Sequence, residues 1–253
     1  MVGIYFSGTG NSKYTAELFC KEYDNESRTF SIEDPEALTA VTESDLIVFA
    51  YPVQFSTVPK IMRDYITDHS ELWRNKKVFI IATMGLFSGD GSGMLGRLLQ
   101  SCGAKVIGGL HLKMPDSIAD EKALKRPLEK NRELVKQADQ KIKESVKCLK
   151  AGKPTQEGIG LLHRLAGFFG QRAYFGHKTR RYSSKLKIDN DKCIRCGICE
   201  KLCPMKNISI KEQNAVSGDR CTMCYRCINK CPKQALTLLG KRVVEQCGIE
   251  KYI

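Results

Sequence analysis

Residues 193–204 read C-I-R-C-G-I-C-E-K-L-C-P, and residues 221–232 read C-T-M-C-Y-R-C-I-N-K-C-P. The pattern C-x2-C-x2-C-x3-C-P thus occurs twice, offset by 28 residues from Cys193 to Cys221. Three thiolates at this spacing can wrap three corners of an iron–sulfur cubane from one tight loop. The fourth, just before Pro, faces away and ligates the other cluster. The spacing therefore predicts one [4Fe–4S] cluster on Cys193, Cys196, Cys199 and Cys231, and a second on Cys221, Cys224, Cys227 and Cys203. A disulfide framework fits poorly, because no basic region leads into a long apolar core at the N-terminus and clustered thiols without such a signal usually bind metal. Zinc is satisfied by two C-x2-C pairs and explains neither the third Cys of each run nor the Cys-Pro ending.

On these motifs, residues 193–232 resemble a bacterial-type two-cluster ferredoxin. The chain of 253 residues is long enough for a further domain, and its 42% hydrophobic content is that of a globular protein. No apolar run approaches the roughly 18 residues of a membrane span. A soluble cytoplasmic protein is expected. The formal net charge of +13 contrasts with the acidic character of small ferredoxins as a family. It suits acidic partners, or else solvates a helical linker.

At the other end, residues 1–6 form an apolar, β-prone run that opens into Ser7, Gly8, Thr9, Gly10, Asn11 and Ser12, followed by a helical pattern. Hydroxyls and glycines between strand and helix suit a phosphate: the backbone can approach closely and the helix N-terminus adds positive potential. A Walker A loop would need Gly-Lys-Ser/Thr, and a dinucleotide fingerprint would need G-x-G-x-x-G; neither is met. The loop resembles the FMN-phosphate loop of flavodoxins, T/S-x-T-G-N-T/S, matched at Ser7, Thr9, Gly10, Asn11 and Ser12.

That resemblance implies two more loops at the carboxyl ends of later strands, where open parallel sheets bind ligands. Residues 45–50 and 77–83 read as buried strands. The first opens into Tyr51, Pro52, Val53, Gln54 and Phe55, the second, from its last residue Thr83, into Met84, Gly85, Leu86, Phe87, Ser88, Gly89 and Asp90. By the flavodoxin resemblance both loops embrace the flavin ring, although core packing is the competing account of Tyr51, Phe55 and Phe87. Helices follow near residues 60–67 and 94–101, a fifth strand near 104–112 and a long helix near 126–150. Residues 28–32 supply the least marked strand. The alternation gives a doubly wound α/β sandwich, and the flavodoxin resemblance implies five parallel strands in the order 2-1-3-4-5. The loop over residues 113–120 either covers the flavin or faces the ferredoxin part.

The expected organisation is an FMN domain over residues 1–150, a basic linker over 151–187 and the ferredoxin domain with a C-terminal tail over 188–253. In the linker, residues 159–169 suit a docking helix, and residues 174–182 (Y-F-G-H-K-T-R-R-Y) are basic and aromatic. Weak membrane-surface contact is a second account of this stretch, and nucleic-acid binding is not expected, since no nucleic-acid fold accompanies it. Short strands are expected near residues 186–188, 208–211 and 236–239. Ile194, Ile198, Ile208, Met223, Ile228 and Leu236 are expected to keep water off the clusters.

Together, FMN and two clusters in one chain resemble the flavodoxin–ferredoxin fusion proteins of anaerobes. The resemblance implies electron transfer between redox partner proteins, or a flavin-dependent oxidoreductase acting on a small molecule with the clusters as electron feed. Tyr51, Gln54, Asp90 and Asp116 are the polar residues in reach for the second reading. Were flavin and cluster too far apart within one chain, transfer would run across a homodimer.

Overall fold

The computed structural model describes residues 1–86, 90–160, 182–212 and 214–253. Five parallel strands lie in the order β2-β1-β3-β4-β5. They are β1 (Val2–Tyr5), β2 (Arg28–Ser31), β3 (Leu46–Pro52), β4 (Lys77–Met84) and β5 (Lys105–Lys113). The helices are α1 (Asn11–Tyr23), α2 (Glu36–Thr42), α3 (Lys60–Asp68), α4 (Gly91–Ser101) and α5 (Leu128–Lys150). This is the expected flavodoxin-like order.

Strands buried on both faces read as unbroken apolar runs, and their period of two sorts the side chains between two cores. Ile47, Phe49 and Tyr51 of β3 pack with Val78, Ile80 and Ala82 of β4 under α2, α3 and α4. Val48, Ala50, Phe79 and Ile81 point to the opposite face, under α1 and α5, where Phe19 stacks on Phe79 with ring centroids 4.9 Å apart. The sheet unit also runs past residue 150. Gly109 donates to the Thr155 carbonyl and accepts from Glu157 N at 2.8 and 3.0 Å, so the first residues of the expected linker line the β5 edge. Most of that linker, residues 161–181, lies outside the described residues.

The C-terminal part pairs β6 (Lys187–Ile188) with β9 (Leu236–Thr237), and β7 (Ile208–Lys211) with β8 (Asn214–Ser217), both antiparallel. Two short helices, α6 (Ile198–Leu202) and α7 (Arg226–Lys230), carry the third cysteine of each run near their first turns. The sequence repeat is legible in the backbone: Arg195 and Met223, Gly197 and Tyr225, and Lys206 and Gln234 all have positive φ, pair by pair at the same offset. Ile194 (56% exposed) and Ile198 (37%) stand outward, contrary to their expected place in the apolar shell, whereas Ile208, Met223, Ile228 and Leu236 are buried. Among the described residues, only residues of the C-terminal part line the cavity beside this first loop.

Polar connections from Arg226, Asn229 and Asp120 help fasten this part to the sheet. Arg226 donates to both carboxylate oxygens of Glu33 (2.9 and 2.7 Å), to the Ser7 carbonyl (2.8 Å) and to the Leu202 carbonyl (3.2 Å). Asn229 donates to the Ser117 carbonyl at 2.9 Å. Asp120, 3% exposed, accepts from the Tyr225 hydroxyl (3.0 Å) and from the backbone N–H groups of Leu238 (2.6 Å) and Leu239 (3.0 Å). The tail then returns to the start of the chain, where Ile249 N donates to the Thr9 carbonyl at 3.0 Å and its side chain joins the α1 core. Among the described residues no helix is long and apolar enough to cross a membrane.

Asp120→Ala removes a carboxylate shared by three donors, two buried and one part-buried. It is expected to cost about 3 kcal/mol, since each stranded donor loses its partner without regaining water. Denaturant unfolding of the reconstituted chain checks this; Asp120→Asn, which keeps one acceptor oxygen, should lose less.

Candidate functional site

A cavity of about 130 Å³ opens at the carboxyl edge of the sheet. The first loop forms its floor through Ser7, Gly8, Thr9, Asn11 and Ser12, ahead of a helix whose N-terminus has no side-chain cap. Gly10 holds φ at 96°, a left-handed turn that side chains rarely adopt, and α1 begins directly after it with its first N–H groups uncapped by a side chain. The hydroxyls are held ready by mutual bonds. Thr9 Oγ1 and Ser117 Oγ share one at 2.7 Å, Ser12 Oγ and Thr83 Oγ1 share another at 2.8 Å, and Asn11 Nδ2 donates to the Pro115 carbonyl at 2.7 Å.

The walls come from Pro52, Val53, Gln54, Phe55, Thr83, Met84 and Gly85. Phe55 and Ser56 form a tight turn with φ of 45° and 57°, closed by the paired backbone bonds of Gln54 and Thr57. The Phe55 ring stacks on Tyr182 with centroids 5.1 Å apart. Gln54 Nε2 donates to the Met223 carbonyl at 3.2 Å, while its Oε1 is buried with no hydrogen-bond partner among the described residues.

Several expected residues stand elsewhere. Tyr51 is fully buried, its hydroxyl bonded to the Gly91 carbonyl, because it shares the strand face of Ile47 and Phe49. Asp90 is buried against Arg97 at 2.6 Å. Gly10 backs onto Ile249, and Leu86 is 57% exposed. Phe87, Ser88 and Gly89 lie outside the described residues.

Two further sets of lining residues come from long-range contacts. Pro115, Asp116, Ser117 and Ile118 close one side, so the loop after β5 both covers the cavity and faces the cysteine-rich part. Met223, Cys224 and Tyr225 close another. Here Gly8 is required: an added Cβ would overlap the Cys224 carbonyl oxygen. Burial raises the pKa of Asp116 above its ordinary value of 3.8, although the Ile118 N–H, Lys125 and Arg126 pull it back.

The eight motif cysteines gather around two smaller cavities. Cys193, Cys196, Cys199 and Cys231 line one; Cys203, Cys221, Cys224 and Cys227 line the other. Each set combines the triplet of one run with the last cysteine of the other, the crossed pairing that the spacing predicts. Burial pushes the Cys224 thiol up to about 12 and raises Cys199, Cys221 and Cys227, with neighbouring thiols of the same set adding to the effect. Thiols crowded this way resist ionising together unless a cationic metal group accepts them. Among the described residues no three His, Cys, Asp or Glu side chains converge as a single ion would require.

A family model for a flavodoxin domain matches residues 3–102, and one for a 4Fe-4S dicluster domain matches residues 185–235. The chain therefore carries a flavodoxin domain and, after it, a 4Fe–4S dicluster domain. Among solved structures it is similar to a Megasphaera elsdenii flavodoxin (26% identity, 46% of this chain and 89% of that one, TM-score 0.42). It is also similar to Flavodoxin 2 from Bacillus cereus (17% identity, 60% and 97%, TM-score 0.45). No curated protein matches the chain.

The flavodoxin domain implies a flavin and the dicluster domain implies iron–sulfur clusters, in an electron-transfer role with redox partner proteins. The residues present fit both groups. The uncapped first turn of α1, among hydroxyls, suits a phosphate; the unpartnered Gln54 Oε1 suits a ring N–H; and the two four-thiol cavities suit clusters.

The pKa of Asp116 carries a pH signature. A carboxyl raised in the fold favours the neutral side chain, so its contribution to stability is present at acid pH, below its unfolded value, and is lost as pH rises through the folded value. Asp116→Asn, neutral throughout, is expected to raise Tm at about pH 7.5, with the gain shrinking as pH falls toward about 4. Thermal unfolding of both proteins across that range checks the sign.

Proposed function

We propose that this chain is an electron-transfer protein that holds FMN at the carboxyl edge of the sheet and two [4Fe–4S] clusters in the cysteine cavities. It would pass electrons between them and exchange them with redox partner proteins of the cytoplasm. The observation that carries this reading is the shared wall. Met223, Cys224 and Tyr225 belong to the second cysteine loop and also line the cavity of the flavodoxin domain.

When bound, FMN exchanges one or two electrons and each cluster exchanges one. The chain supplies spacing, orientation and dryness. N–H groups at the first turn of α1, with Ser7, Thr9, Asn11 and Ser12, would grip the phosphate without a lysine. Residues 52–55, 83–85 and 115–118 would enclose the ring, with Gln54 Oε1 accepting from a ring N–H. Cys203, Cys221, Cys224 and Cys227 would hold the cluster next to it. Met223 and Tyr225, 9% and 4% exposed, keep water out of the gap between the two sites. On the far side Cys196 is exposed beside Ile194, which offers a partner protein direct approach to the other set of thiols. The charge of +13 favours an acidic partner.

A second reading, a flavin-dependent oxidoreductase for a small molecule, draws on Asp116. Its side chain faces the cavity and its raised pKa suits a proton donor. Of the other candidates Gln54 also lines the cavity, whereas Asp90 is tied to Arg97 and Tyr51 is sealed in the core.

Anaerobic reconstitution is expected to give about eight irons and one FMN per chain; a preparation that takes up zinc, or refuses FMN, ends the proposal. In the loaded protein, Gly8→Ala should push the Cys224 loop off the cavity. Flash reduction of the flavin should then show cluster reduction slowed at least tenfold with flavin and iron contents unchanged. An unchanged rate would mean that the shared wall is not the route.

A further inference from the structure

The dicluster domain is a near-twofold repeat, so each half serves as the control for the other. Residues that follow the same offset hold the same places: Asn207 N donates to Cys203 Sγ at 3.2 Å, and Ala235 N donates to Cys231 Sγ at 3.3 Å. The two cysteines are the crossed ligands of the two sets, and their backbone bonds are alike. The side chains are not. Asn207 stands where the other half has Ala235, and Thr222, just after Cys221, stands where the other half has Ile194, just after Cys193.

Both polar side chains are buried, at 4% and 3% exposure, and both line the cavity of Cys203, Cys221, Cys224 and Cys227. Asn207 Nδ2 and Thr222 Oγ1 have no hydrogen-bond partner among the described residues. The orientation of the Asn207 amide is fixed by its other end, since Oδ1 accepts from Arg220 N at 2.6 Å and a flipped amide would set two donors against each other. Its NH2 group is therefore a buried donor without an acceptor, as is the Thr222 hydroxyl. Buried donors of this kind are rare in folded proteins and point to a missing acceptor. Apart from the backbone, this cavity is lined by sulfur and apolar side chains, by Arg226, which has donors only, and by Tyr225, whose hydroxyl is bonded to Asp120.

The other cavity, around Cys193, Cys196, Cys199 and Cys231, is lined otherwise by Ile194, Gly197, Ile198, Ile210, Ala215, Pro232 and Leu236, with Arg195 and Lys233 and, among the described residues, no neutral polar side chain. The difference tracks burial. Cys196 of that set is exposed, whereas the set beside the flavin cavity is packed against the flavodoxin domain. Burial away from water disfavours the added negative charge of a reduced cluster, and hydrogen bonds to its sulfurs favour it.

We propose that Asn207 and Thr222 are positioning residues that donate side-chain hydrogen bonds to the cluster beside the flavin cavity, offsetting its burial so that it stays reducible. This rests on the reading of the second cavity as a [4Fe–4S] site. The bonds have no counterpart at the exposed cluster, where solvent does the same work.

The test uses the reconstituted full chain in an anaerobic redox titration followed by EPR. Asn207→Ala with Thr222→Ile, which gives the inner shell the side chains of the outer one, is expected to lower one of the two cluster potentials and leave the other in place. A fall of at least tenfold in the reduction equilibrium constant, about 59 mV for a one-electron couple, is the expected size. Thr222→Ser with Asn207 intact should titrate as the wild type, because the donor is kept. If the double variant does not load iron, Thr222→Val alone, which removes only the hydroxyl, should shift the same potential in the same direction. Fully loaded variants whose two potentials match the wild type would overturn this proposal while leaving the electron-transfer reading intact. A wild-type chain that binds no clusters would instead remove the reading on which it rests.

Discussion

The carbonyl oxygen of Cys224 lies where any side chain at position 8 would have to be. That close approach decides the relation between the two domains, because it sets the second cysteine loop directly on the phosphate-type loop. The approach is held by charge as much as by shape. Arg226, two residues beyond Cys224, uses one guanidinium to reach Glu33, the Ser7 carbonyl and the Leu202 carbonyl. A half-buried guanidinium is costly unless its donors are all used, and here the acceptors come from both domains at once. Separating the domains would strand it.

Much of the site was legible because its chemistry is local. The cysteine runs and the hydroxyl-rich first loop carry their reasons in residue types and spacing; alternating strands and helices give a parallel doubly wound sheet, and its strand order came from the flavodoxin resemblance. Where the reading went astray, a signal was sometimes present. Tyr51 sits two and four residues from Phe49 and Ile47, which puts it on their side of the strand and in their core, not in the loop beyond. Helix α2 was marked by Asp34-Pro35-Glu36, where the Asp34 carboxylate accepts from Glu36 N at 2.9 Å, a capped start that its short length obscured. Strand β8 buries only Ala215 and had little to announce it. The wall made by residues 223–225 could not be read at all, since a contact between residues 8 and 224 leaves no periodicity in either segment.

The repeat in the dicluster domain shows how the interface has marked one half and not the other. Gly197 and Tyr225 occupy equivalent left-handed positions, with φ of 74° and 61°. Glycine takes that conformation freely, while a tyrosine is strained there by about 1–3 kcal/mol. Nothing in the local turn asks for a tyrosine. Its hydroxyl bonds to the buried Asp120 carboxylate, which in turn gathers the Leu238 and Leu239 N–H groups. The strain of the turn is thus offset by a docking contact that exists only on the side facing the flavodoxin domain. An unconstrained repeat would put glycine at both positions, as its outward half does. The tyrosine is best understood as part of the interface, placed at the one point where the cysteine loop, the loop after β5 and the cavity wall meet.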